Sequence, residues 1–118
     1  MVKRVTHSIT SHDIVLMPQT PARPEMFGWI RLMEGPLDAG YIYLTSDPKE
    51  PRLGSENDYI VTSIPFDQLG TMLTILKTTP DLVIEYHDPE VPGISPTVFI
   101  ASRQTVGGAV DVGNAEVL

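Results

Sequence analysis

Apolar positions recur along this chain with two periods, and the change from one to the other separates its strands from a single helix. Phe66, Leu69, Met72, Leu73 and Leu76 fall at i, i+3, i+6, i+7 and i+10, the spacing that gathers side chains into one stripe of an α-helix. Thr71, Thr74 and Lys77 lie off the stripe. Pro65 suits a first turn, where its missing N–H has no intrahelical partner, and Asp67 meets the positive end of the helix dipole. Pro80 cannot continue a helix. The spacing predicts a helix over residues 65–77, held by burial of its apolar stripe more than by propensity.

Elsewhere the period is two. Residues 13–17 form a short apolar run closed by Pro18, read as a strand buried on both faces. In residues 27–34, Phe27, Trp29 and Met33 fall on one side and Ile30 and Leu32 on the other, with Arg31 interrupting the first row. A turn-forming stretch from Gly35 to Gly40 follows. Residues 41–45 then alternate Tyr41 and Tyr43 with Ile42 and Leu44, so the two runs read as a β-hairpin. Residues 46–58 carry charges, prolines and a glycine with little to bury, and read as a solvated loop. Residues 59–64 have strand composition and lead into the helix. In residues 82–87, Leu82, Ile84 and Tyr86 share the face turned toward the helix, and residues 97–102 complete a second hairpin.

The predicted fold class is α+β: a mostly antiparallel sheet of about six strands, ordered β-β-β-β-α-β-β, with one helix near 65–78 packed on one face. Residues 1–104 form the single domain. Residues 105–118, rich in Gly, Ala and Val, are expected to be a flexible or edge-strand tail.

Bulk composition narrows the function classes. At 118 residues, 42% hydrophobic and 19% charged, one core suffices. The absence of cysteine removes disulfides, thiolate metal sites and cysteine nucleophiles. A formal charge of −7 repels polyphosphates, so no nucleic-acid partner is expected. Every apolar run is interrupted well short of the ~20 residues a membrane span requires, so no membrane partner is expected either. Lys3-Arg4 is followed by polar residues, not by the apolar core of a signal peptide, which points to a cytoplasmic location.

Candidate chemistry is sparse. His7 and His12 are five residues apart, a spacing that makes no chelating pair on a strand or a helix. Glu85 and His87 fall on one strand face with Asp88 adjacent, the arrangement from which a general base or metal ligand is built, set against a surface or hydrogen-bonded role. No metal site and no cofactor are expected. Neither G-x-S-x-G, S-x-x-K nor H-E-x-x-H occurs, and Gly107-Gly108 lacks the spacing of a phosphate loop. Phe27, Trp29, Tyr41 and Tyr43 suggest a cross-strand aromatic cluster. With only Arg31 among them, core or subunit interface is the preferred reading over base stacking, and Trp29, Tyr41 and Tyr43 are the candidate interface residues. Arg23, Arg52 and Arg103 lie in or beside loops and would hold a phosphate or carboxylate if the fold brought them together. Tyr86 and Arg103 are the candidates for orienting a small ligand.

Little catalytic equipment, combined with more apolar sheet surface than one helix covers, predicts a non-enzymatic binding or assembly module. It is expected to self-associate as a dimer or larger homo-oligomer through a sheet face or edge, or to hold a protein partner there. The alternatives are a small-ligand-binding regulatory protein and a small hydrolase-like enzyme using His87 with Glu85 or Asp88.

Overall fold

Eight strands and one helix are present in the computed structural model, which describes residues 2–104; the expected C-terminal tail lies outside the described residues. In chain order they are β1 (Lys3–Ser8), β2 (Ser11–Leu16), β3 (Met26–Glu34), β4 (Leu37–Thr45), β5 (Arg52–Leu53), β6 (Ile60–Pro65), α1 (Leu69–Thr78), β7 (Leu82–Asp88) and β8 (Thr97–Ser102). The class is α+β, as the alternation implies. The strands divide between two sheets, however, ordered β2-β3-β4-β6-β5 and β1-β7-β8. All pairings are antiparallel except β4 with β6. A parallel pair requires a long crossover, and the charged segment after Thr45 supplies it.

The inner face of the larger sheet is set by Ile30 and Leu32 of β3, Ile42 and Leu44 of β4, and Ile60 of β6, all fully buried. Leu82, Ile84 and Tyr86 of β7 close over them, and α1 adds Leu76 with Leu69, Met72, Leu73 and Ile75 at the margin. Each fully buried aliphatic side chain contributes roughly 1.5–3 kcal/mol before conformational entropy is charged. Leu69, Met72, Leu73 and Leu76 of the stripe read from the sequence pack on the core, but the helix begins at Leu69 instead of Pro65, with Pro65 ending β6 and Phe66 exposed at 39%. A 3₁₀ turn at Phe66–Gln68 precedes it, and the Thr79 amide closes it on the Ile75 carbonyl one residue before Pro80. No helix among the described residues is long and apolar enough to cross a membrane.

Two consecutive amides carry the chain from one sheet to the other. Ile9 N–H donates to the Leu82 carbonyl at 2.9 Å and Thr10 N–H to the Met33 carbonyl at 2.8 Å, so β1 and β2 join different sheets across a single corner. The Glu34 carboxylate braces that corner. Its Oε2 accepts from the Ser8 amide at 3.0 Å and its Oε1 lies 3.3 Å from His7 Nδ1, while His7 Nε2 lies 2.9 Å from the Asp58 carbonyl. This explains why β1 is not visible as an amphipathic strand: one of its buried positions is a histidine, satisfied by groups remote in sequence.

Two expectations are corrected. The segment read as buried on both faces is an edge strand, with Ile14, Val15 and Leu16 at 39, 39 and 58% exposure, because only β3 flanks it. Phe27 does not share the row of Trp29. The register shifts between Met26 and Gly28, and Phe27 turns to stack on Phe66 with ring centroids 4.7 Å apart. Gly28 enables the shift: its φ is +146°, and a Cβ there would lie 2.0 Å from the Val15 carbonyl oxygen.

Gly28→Ala is expected to destabilise the fold by about 2–4 kcal/mol in denaturant titration, combining backbone strain with displacement of β2. The Glu34 carboxyl is held below the ordinary glutamate range, by the Ser8 amide foremost and by His7, against burial that raises it. Its stabilising contribution is therefore complete above the unfolded value of about 4.3 and is lost as pH falls through the lower folded value. Denaturation midpoints measured from pH 7 to pH 3 should fall less steeply for Glu34→Gln than for the wild type.

Candidate binding groove

Burying alternate residues of β3, β4 and β6 turns the others outward, and the registers bring these into transverse rows. One row runs Asp13, Arg31, Tyr41, Val61, Arg52 across β2, β3, β4, β6 and β5; the next runs Val15, Trp29, Tyr43, Ser63. Register partners share a sheet face. Tyr41 and Tyr43 lie nearly parallel, with centroids 6.4 Å apart and planes 18° from one another. Trp29 is tilted 59° to Tyr43 at 6.3 Å, and Tyr59 meets Tyr41 edge-on at 5.6 Å and 75°. Four rings thus follow one another across the outer face.

Tyr59 is delivered by the turn before β6. Asn57 and Asp58 both take left-handed conformations (φ +57° and +47°), which their residue types tolerate, and the Gly54 amide donates to the Tyr59 carbonyl at 2.7 Å. The ring then lies directly over Gly54, where a Cβ would come within 2.1 Å of it. Sequence alternation names Tyr59 only as strand material. Its place beside Tyr41 depends on the parallel pairing of β4 with β6, for which no local signal exists.

Together these residues line an open groove of about 910 Å³, within the roughly 300–1,000 Å³ usual for ligand sites. A smaller recess of about 180 Å³ shares Tyr43, Arg52 and Val61 with it and continues it toward Thr45. Arg31 donates from Nε to Asp38 Oδ1 at 2.7 Å, and the Tyr41 hydroxyl donates to Asp38 Oδ2 at 3.2 Å. The hydrogen bond and charge of Asp38 raise the Arg31 guanidinium further above its already high range. Burial foremost, then Asp38, push the Tyr41 phenol above the ordinary tyrosine range. Arg23 and Arg52 also line the groove, and among the described residues neither guanidinium has a hydrogen bond or ion pair. With Asp13 and Glu56 also present, three arginines face three carboxylates, so the groove is formally neutral within a chain of charge −7.

The other sequence candidates lie elsewhere. Glu85 and His87 share the outer face of the smaller sheet, but the buried Glu85 carboxylate accepts from the Thr6 hydroxyl at 2.8 Å and sits 3.9 Å from Arg4 Nε. No hydrogen bond links His87 to Glu85 or Asp88 among the described residues. Asp88 accepts from the Glu90 amide and the Tyr86 hydroxyl. Tyr86 is a core residue at 6% exposure, its phenol raised by burial foremost and then by the Asp88 charge. Arg103 hydrogen-bonds the Ser8 hydroxyl and lies 3.5 Å from Asp81, away from Arg23 and Arg52. Among the described residues no three His, Asp or Glu side chains gather as metal ligands.

Phenolate absorbance titration is expected to show two tyrosines, Tyr86 and Tyr41, ionising above the free amino acid, and the one that disappears in Tyr41→Phe is the groove tyrosine. In Asp38→Asn the same group should ionise at lower pH but remain above free tyrosine, because burial persists.

No family model matches the chain, and no curated protein or solved structure matches it either.

Proposed function

We propose that this protein is a non-enzymatic binding module whose recognition surface is the groove on the outer face of the larger sheet. The observation that carries the reading is concentration. The only tryptophan, three of the four tyrosines and three of the five arginines line one open concave face. Trp, Tyr and Arg are the side chains that dominate binding energetics: the two aromatics offer a large contact area with a polar handle and few rotamers to freeze, and Arg a planar fork of donors. Placing Trp29, Arg31, Tyr41, Tyr43 and Arg52 on strands keeps their spacing fixed before the ligand arrives, which lowers the ordering cost of binding. The imidazole and carboxylates of β7 support the non-enzymatic part: Glu85 is engaged by Thr6 and Arg4, and among the described residues no acceptor orients His87.

A second reading, assembly of copies through β2, is favoured by a separate observation. Among the described residues that edge has no further strand beside it and presents exposed Ile14, Val15 and Leu16, the combination that templates strand addition. The two readings separate in one pair of variants. Tyr43→Ala should abolish ligand retention, read by native mass spectrometry of gently purified protein, while leaving the far-ultraviolet circular dichroism unchanged. Ile14→Lys should leave retention intact and convert any dimer to monomer in light scattering. Retention unaffected by Tyr43→Ala contradicts the groove, and an oligomer unaffected by Ile14→Lys contradicts the edge.

A further inference from the structure

We infer that the groove takes an uncharged oligosaccharide, an inference that rests on the binding-module reading and names its ligand class. Charge is the first argument. The groove lining balances Arg23, Arg31 and Arg52 against Asp13, Asp38 and Glu56, and the chain around it carries −7. A polyanion entering would meet Asp13 and Glu56 at the walls and repulsion from the whole molecule, without a surplus of cations to release its counterions. A neutral ligand meets neither penalty.

Hydrogen-bond chemistry points to the same ligand class. Arginine only donates and a carboxylate only accepts, so a ligand that satisfies both walls must accept and donate along its edge. Hydroxyl groups do both. Arg31 Nε is already taken by Asp38, which leaves its other N–H groups, the Arg23 and Arg52 guanidiniums (unpaired among the described residues) and the carboxylates of Asp13 and Glu56 to meet them. A proline-rich segment, the other usual occupant of aromatic grooves, offers carbonyl acceptors but few donors and leaves the carboxylates unmatched.

Shape agrees. A pyranose ring is apolar on its flat faces and hydroxylated around its rim, and its C–H bonds carry the partial positive charge that an aromatic face attracts. Trp29, Tyr43, Tyr41 and Tyr59, with successive centroids 6.3, 6.4 and 5.6 Å apart and planes turned by 59°, 18° and 75°, line the groove, while Asp13 and Arg52 stand at the two ends of the transverse row. Four strand spacings separate β2 from β5, about 19 Å, enough for several linked sugars lying across the sheet. A second copy of this face fits poorly, because two concave surfaces placed together enclose a void.

Trp29 is the only tryptophan and lies in the groove, so its emission reports occupancy directly. The full chain is titrated with cellohexaose, xylohexaose, maltohexaose and chitohexaose, and in parallel with oligo-dT, oligogalacturonate and a decaproline peptide. The expected result is a saturable change in Trp29 emission with at least one neutral hexasaccharide, with affinity nearly independent of salt. It should weaken by about tenfold or more in Tyr43→Ala and in Arg52→Ala, with circular dichroism unchanged in both. Response only to oligo-dT, oligogalacturonate or decaproline overturns the sugar assignment while leaving the groove a binding site. Silence toward all seven probes overturns the sugar assignment too, and native-state ligand retention that survives Tyr43→Ala then removes the groove reading as well.

Discussion

Burial of one face of β3 and β4 is the constraint on which everything else depends. Ile30, Leu32, Ile42 and Leu44 are fully excluded from water, and because side chains alternate along a strand, a slip of one residue would expose all of them. Their burial therefore pins the register. Once it is pinned, Trp29 must oppose Tyr43 and Arg31 must oppose Tyr41 on the outside. The aromatic face is the obligatory reverse of the core, and its precision is inherited from core packing.

The parallel pairing of β6 with β4 extends this logic. It aligns Tyr41 with Val61 and, through β5, with Arg52, so a residue from the charged crossover completes a row begun on β2. The Asp38 carboxylate, bridging Arg31 and the Tyr41 hydroxyl, holds two groove side chains in place without help from a ligand. Such prior ordering lowers the cost that binding to an open face would otherwise carry.

Much of the fold was legible in the chain because it is written in local period. The helical stripe of Leu69, Met72, Leu73 and Leu76, the alternation of Tyr41 to Leu44 and the hairpin turn before it all follow from neighbours a few residues apart. What was not legible depends on remote partners. β1 hides because His7 occupies a buried position, made tolerable by Glu34 and the Asp58 carbonyl. β2 looked like a core strand because its composition is apolar; edge position is a property of the sheet and not of the segment. Phe27 left its expected row through a bulge at Gly28. For the groove, Trp29, Tyr41, Tyr43 and the loop arginines Arg23 and Arg52 were identifiable by type. Their convergence, and the addition of Tyr59, required the parallel pair, whose direction no local pattern specifies.

The most direct test of the central claim, that these rings form one continuous run on an open face, is an aromatic NOESY spectrum recorded with and without a soluble paramagnetic agent. Ring-to-ring contacts for Trp29–Tyr43, Tyr43–Tyr41 and Tyr41–Tyr59, all three broadened by the agent while the methyl signals of Ile30 and Ile42 stay sharp, are the predicted result. A missing Tyr41–Tyr59 contact, or a Trp29 ring protected from the agent in the monomer, contradicts it.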